Sequence, residues 1–325
     1  MEKPKISFVV TGRNDDYGGN LINRASTFVR TLSHFADKYH LPIEIIFVEY
    51  NPIPDKKYLF EEIHVPRTPF VKLRGIIVPP GFHEKVKQNN IPVLEYIAKN
   101  IGIRRANGEY ILATNPDIVF SEELARHLSE ENLDKNNFYR ADRNDIKQNR
   151  FPEAMTPEKI LKVCKKNVTK ILYTPRTHYI SWRLWFSRFI HGRTRSSLSL
   201  CPLFNYRYPP DRKLAYENAA GDFLLAHRSI WEKVHGYDQT PHNLHHDGLM
   251  IHVLKTLRYT QEVFEYPIYH INHQEGRIGR PGIEFSKYRE LTKKMQETGI
   301  PHIVNGPEWG FENEKFEERI VSKEN

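Results

Sequence analysis

The sequence predicts an α/β protein with a mostly parallel central sheet flanked by helices. Three observations carry that expectation. The run Ile6-Ser7-Phe8-Val9-Val10-Thr11 is almost continuously apolar, as suits a strand covered on both faces. Residues 20–39 then set Leu21, Ala25, Phe28, Leu32 and Phe35 at helical spacing and lead past Pro42 into a second apolar run at 43–50. A strand–helix–strand unit of this kind pairs its strands in parallel. Third, Asn107 to Asp117 reads as a turn, a brief apolar strand at 110–113, and two polar side chains, Asn115 and Asp117, just beyond the strand end.

The other elements follow in order. A polar loop, Gly12 to Gly19, separates the first strand from its helix. Leu73 to Val78 is an apolar patch stopped by Pro79-Pro80-Gly81, and residues 92–106 make a helix with Leu94, Ile97, Ala98 and Ile101 on one side. Asn107-Gly108 is turn chemistry, since both residues tolerate positive φ. Pro116 lacks an N–H and blocks further ladder pairing. Ser121 reads as an N-cap, with Glu122 and Glu123 in the first turn and Leu124 and Leu128 inward. A strand is expected at 138–141. From about 145 to 215 lysines, arginines, prolines and aromatics alternate without a period, as in an insertion or a lid. Order returns as a strand at 219–226, helices at 228–234 and 247–257, a strand at 263–270 and a charged helix at 284–297. The tail from Gly306 is acidic and is expected to be poorly ordered. The expected organisation is one domain over 1–275 carrying the insertion, then a C-terminal helix and tail over 276–325.

Composition narrows the function classes. With 325 residues, 39% hydrophobic and 27% charged, the chain can bury a sizeable core. The net charge of +8 suits anionic ligands such as nucleotides or phosphorylated substrates. The basic residues are scattered, which speaks against nucleic acid. Cys164 and Cys201 are the only cysteines, so there is no disulfide framework and no zinc spacing; a reducing compartment fits. Met1 to Lys5 runs straight into a strand without a signal-peptide apolar region, and no stretch reaches the roughly 20 apolar residues of a spanning helix. The expected location is cytoplasmic, soluble or peripheral at a membrane surface.

Taken in order, these motifs resemble a GT-A-fold glycosyltransferase, nearest the family-2 inverting enzymes, over about 6–140 and 217–273. The resemblance implies a nucleotide-diphosphate sugar donor, UDP-linked, a saccharide or glycoconjugate acceptor, and Mn²⁺ or Mg²⁺. It implies that the loop Thr11-Gly12-Arg13-Asn14-Asp15 borders the nucleotide, so that Thr11, Arg13 and Asn14 contact the donor. Glu49 stands at the strand end that meets the base or ribose, with Tyr50 as a stacking partner. Arg104 or Arg105, in the phrase Ile103-Arg104-Arg105-Ala106-Asn107-Gly108-Glu109-Tyr110-Ile111, would reach the donor. The family's metal motif is Asp-x-Asp. Asn115-Pro116-Asp117 departs at its first position, where Asn115 offers a neutral carbonyl oxygen as ligand or ribose contact, and Asp117 is the implied direct ligand. In Ala220-Gly221-Asp222-Phe223, Asp222 is placed on the acceptor side. In His245-His246-Asp247-Gly248, Asp247 is the implied general base and His246 an acceptor contact. His270 and His273 both follow the last strand, and His273 is the one preferred as completing the metal site.

Each of these residues also has a plain structural reading: a surface loop, a helix N-cap at Asp247, an Asn-Pro-Asp turn, a solvated basic helix end at Arg104. Three other functions stay open on the residues alone: a nucleotidyltransferase, a non-catalytic nucleotide- or sugar-binding module, and a basic nucleic-acid binder. Residues 179–195 gather Trp182 and Trp185 with Arg183, Arg188, Arg193 and Arg195. That segment reads as a membrane-interface contact, an acceptor lid, or aromatic packing with solvated arginines.

Overall fold

The computed structural model describes residues 2–88, 90–130, 133–173, 176–179, 215–241, 245–273 and 285–321. Parallel strands form one half of its sheet. β1 (Ile6–Gly12) pairs with β2 (Ile43–Tyr50) and β4 (Tyr110–Thr114), and β2 pairs with β3 (Val71–Val78), all parallel. The other half is mixed. β5 (Ile118–Phe120), β6 (Asn137–Ile146), β7 (Val168–Tyr173), β8 (Arg176–Tyr179), β9 (Phe223–His227) and β10 (Thr260–Ile271) continue it. β9 runs antiparallel to β4 and β6, β10 parallel to β6 and antiparallel to β5, and β7 and β8 lie off β6. At the far edge β11 (Glu317–Ile320) is antiparallel to β3, giving the order β11-β3-β2-β1-β4-β9-β6-β10-β5.

Helices cover both faces, and the strands alternate accordingly. Ile6, Phe8 and Val10 of β1, with Ile43, Ile45 and Phe47 of β2, pack under α1 (Leu21–Lys38) and α5 (Glu122–Glu130). Val9, Ile46 and Val48 face the opposite layer of α4 (Glu95–Arg104), α7 (Arg228–Val234) and α8 (His246–Thr256). The period of two in these doubly covered strands is therefore a division between two cores. α4 lies close on the sheet: a Cβ at Gly102 would fall 2.5 Å from Val9 Cγ1. Short helices α2 (Leu59–Glu62) and α3 (Pro80–Val86) fill the β2–β3 and β3–α4 connections.

Several expectations change. Asn107-Gly108 adopts no positive φ among the described residues; the turn is fixed by Glu44, which accepts from both the backbone N–H and the side-chain amide of Asn107 at 2.8 and 2.7 Å. Residues 219–222 form a turn, and β9 begins at Phe223. The region 145–215 contains regular structure in α6 (Pro157–Lys166), β7 and β8, while residues 180–214, most of the basic aromatic segment, lie outside the described residues, as does Cys201. The described part of the tail, to Val321, is ordered. Beyond α9 (Phe285–Thr298), Phe311 and Phe316 pack their rings at 4.8 and 5.2 Å from Phe82, and β11 completes the sheet edge. Acidic composition was misleading there because the tail's few aromatics find a core already waiting. Among the described residues no helix is long and apolar enough to cross a membrane.

Candidate active site

Strand register assembles the site at the carboxyl ends of β1 and β4. Thr114 pairs with Phe223, so the next residues out, Asn115 and Asp222, meet: Asn115 Nδ2 donates to Asp222 Oδ1 at 2.8 Å. The ammonium of Lys99, on the first turns of α4, donates to Asn115 Oδ1 at 3.0 Å and to the Gly221 carbonyl at 2.9 Å. One residue before β5, Asp117 accepts the Ile271 N–H on its carbonyl at 3.0 Å, and His270 pairs with Ile118. Asp117 Oδ2 thereby lies 3.7 Å from His270 Nε2 and 3.3 Å from His273 Nε2. One ligand atom from each of these three residues falls within 4.8 Å of the others. Arg24, from α1, donates to the same Oδ2 at 2.7 Å. β6 brings Asp145 alongside: His270 Nδ1 is 3.3 Å from its Oδ1, and Lys170 of β7 is 2.6 Å from its Oδ2. Arg143 bridges Asp145 at 2.8 Å and Asp222 at 2.6 Å.

These contacts sort the carboxylates. Burial opposes ionisation of Asp117, yet His270, His273 and Arg24 hold it well below the usual carboxylate range. Burial also opposes Asp145, and His270, Arg143 and Lys170 overcome it. Asp222 is likewise depressed against burial, chiefly by Arg143. Asp247 goes the other way. Burial raises it, and the backbone N–H groups of Gly248 and Gly221, the latter donating to Oδ2 at 2.7 Å, only partly offset this.

The structure thus brings together Asn115, Asp117, Asp222 and His273, and links Asp247 to them through Gly221. Asp247 lies in the first turn of α8; the N-cap is His245, with φ 65°. Thr11 donates its hydroxyl to the Val48 carbonyl at 3.5 Å, and Arg13 faces Asp15 at 4.0 Å. Glu49, expected at the base or ribose, faces inward. It is buried, and its two oxygens accept the backbone N–H groups of Asn14 and Leu59 at 2.9 and 2.7 Å, pinning the loop after β1 to α2. The Asn14 side chain is held by the Lys57 carbonyl at 2.9 Å. Tyr50, proposed for stacking, is fully buried. Arg104 is not part of the cluster. α4 runs antiparallel to the strands, so its last turn lies at the other end of the sheet, where Arg104 pairs with Glu312 at 2.5 Å over the Trp309 ring. Arg105 holds the Gly310 and Phe311 carbonyls, both at 2.8 Å. His246 is buried against Tyr96 and lines a small cavity with Asp238 and His302, outside the cluster.

Sequence reasoning missed Arg24, Lys99, Arg143, Asp145 and Lys170. For Arg24 a signal existed: it lies three residues after Leu21 and four before Phe28, on the apolar stripe of its helix, where a charge implies a buried partner. Asp117, His270 and His273 fit a divalent cation on the structure's own terms. Asp117 Oδ1 is buried without a hydrogen-bond partner, and two imidazole Nε2 atoms face the same carboxylate.

No protein-family model matches the chain, and no curated protein sequence does. Among solved structures, it is similar to GalNAc-T7 with UDP, GalNAc and Mn²⁺ at 14% identity and TM-score 0.46, over 85% of this chain and 45% of that one. S. aureus TarS 1–349 gives 11% identity and TM-score 0.38 over 82% and 60%. The galactosyltransferase LgtC, with donor and acceptor sugar analogues, gives 11% and 0.35 over 91% and 98%. The chain spans less than two thirds of the length of the first two. All three TM-scores fall below one half, a level of likeness that speaks to neither activity nor ligand.

Proposed function

We propose that this chain is a GT-A-type glycosyltransferase that moves a sugar from a nucleotide-diphosphate donor, UDP-linked, to a hydroxyl of a saccharide or glycoconjugate, with inversion. The observation that carries this reading is the place of the Asp117–His270–His273 group. In the order β3-β2-β1-β4 the winding reverses between β1 and β4, and open α/β sheets bind ligands in the crevice outside the carboxyl ends of the strands at such a reversal. Arg24, with the loop after β1, lies on one side of that crevice and Asp117, after β4, on the other. Asp117, His270 and His273 would hold a divalent ion, which when bound supplies Lewis-acid stabilisation to a leaving diphosphate. One carboxylate and two imidazoles suit Mn²⁺ better than Mg²⁺, which favours oxygen ligands.

The chain's own residues supply the rest. Arg24 fixes the Asp117 carboxylate, and Arg143 and Lys170 keep positive charge beside the crevice. Asp247 takes the proton from the attacking hydroxyl. Its upward shift through burial makes it the strongest proton acceptor among these aspartates, the other three being depressed. Displacement by a hydroxyl so activated inverts the anomeric centre.

The test is a screen of nucleotide sugars for nucleotide release, with and without Mn²⁺, followed by NMR of the product's anomeric proton. Mn²⁺-dependent release from a UDP-sugar with inverted product is expected. A retained configuration would remove Asp247 from the role of base, and a protein that neither binds nor turns over any nucleotide sugar would refute the whole reading.

A further inference from the structure

We infer that the Asp117–His270–His273 site takes a divalent cation together with a diphosphate and not as a bare ion, and that Arg24 enforces this. The inference rests on the nucleotide-sugar reading above and adds to it an order of assembly. Arg24 is 1% exposed, and its guanidinium is held on three sides. Nη1 donates to Asp117 Oδ2 at 2.7 Å, Nε to the Gly19 carbonyl at 3.2 Å, and Nη2 to the Tyr17 carbonyl. Oδ2 is also the oxygen that both imidazoles face. A cation among these groups shares that carboxylate with a positive charge that cannot swing away.

Neighbouring acids do not make up the deficit. Asp222 is paired with Arg143 at 2.6 Å, Asp145 with Lys170 at 2.6 Å, and Glu95 with Lys99 at 2.8 Å. Each of these three carboxylates already has its own cation, so they offer a bare dication no surplus negative charge. A diphosphate arrives with that surplus, and the same fixed cations then favour binding. The guanidinium also ties the cation site to the ligand loop. The Tyr17 ring stands edge-on to His273 at 5.5 Å, and at Gly18, with φ +73°, a Cβ would fall 2.6 Å from His273 Nδ1. Loop 16–19 is therefore seated on one candidate ligand and bonded, through Arg24, to another.

The experiment is an electron paramagnetic resonance titration of Mn²⁺ into the purified protein alone, with uridine and with UDP, corrected for Mn²⁺–UDP association measured without protein. UDP is expected to tighten Mn²⁺ by about tenfold or more, and uridine to have no effect. Arg24→Met is expected to tighten bare Mn²⁺ by about tenfold, and Arg24→Lys, which keeps the charge, to leave it weak. Should the Met variant not fold, Arg24→Gln, which can still donate to the loop carbonyls, carries the same expectation. Mn²⁺ binding equally well with and without UDP overturns this inference and leaves the nucleotide-sugar reading standing. UDP failing to bind under any condition overturns both. Unchanged bare-ion affinity in the folded neutral variant removes Arg24 from the role.

Discussion

Lys99→Met tests whether the exit of β4, the turn before β9 and the start of α4 are held together by one buried ammonium. The Lys99 side chain is 0% exposed and donates to Glu95 Oε1, Asn115 Oδ1 and the Gly221 carbonyl at 2.8, 3.0 and 2.9 Å. Methionine fills similar volume, so little cavity forms, and the loss is electrostatic. Glu95 is 21% exposed and can recover water. The Asn115 and Gly221 oxygens are deeper, and each loses a charged donor at about 1–3 kcal/mol. Removing a buried charge returns part of this, leaving a net destabilisation of about 3 kcal/mol. Urea unfolding at pH 7 measures it as a lower midpoint with unchanged slope. Because the Gly221 N–H supports Asp247 Oδ2, its amide should also exchange faster with solvent. A loss below about 0.5 kcal/mol, the range of an ordinary surface change, together with normal Gly221 protection, would refute the brace.

Asp247→Asn should lower transfer by about 10²–10⁴-fold while Mn²⁺ and UDP binding persist, read in single turnover; near-normal turnover would leave Asp247 as a contact for Gly221 only. Asn115→Asp should destabilise the fold by about 2–3 kcal/mol in urea unfolding, because the amide that donates to Asp222 Oδ1 becomes an acceptor facing an acceptor. Counting charges alone predicts tighter metal from that variant, and an unchanged stability with tighter Mn²⁺ would favour the count. Burial raises Glu49 from 4.5 to about 7. The unfolded chain then releases this proton first as pH rises. The group's contribution to stability is thus highest below about pH 4.5 and falls, by about 3 kcal/mol in all, until about pH 7. Unfolding of wild type against Glu49→Gln across that range should show the downward slope; a flat difference counts against it.

Much of the first half was legible because periodicity reports burial, and here burial follows the strands. Ile6, Phe8 and Val10 against Val9 announce a doubly covered strand, and the stripe from Leu21 to Phe35 announces α1. Asn115 and Asp117 were found by their place after β4, and Asp222, His270 and His273 by their place beside later strands, but not the cations Arg24 and Lys99 that hold them, which come from helices packed on the sheet. Asp145 was hidden because β6 runs on to Ile146 through Arg143, Asn144 and Asp145, a polar run that looks like loop, although Arg143 and Asp145 belong to the crevice. His270 reaches Asp117 only through the β10–β5 pairing. Arg104 lies away from the cluster for a reason of direction: a helix feeding a parallel strand presents its start, here Glu95 and Lys99, to the strand's exit, and its end to the opposite rim.

The pairing of β11 with β3 has a consequence for biosynthesis. Arg74 and Glu318 are joined at 2.5 Å although 244 residues separate them. At about 5–20 residues per second, the ribosome leaves β3 as an open strand edge for tens of seconds. Open edges recruit other strands, and closing so long a loop is slow as well as late. Lys72 and Arg74 on β3 place charge at that edge meanwhile, a guard against mispairing in the nascent chain. The last described strand thus acts as a seal applied when the rest of the sheet already exists, and chains cut before it should accumulate as aggregates rather than as active fragments.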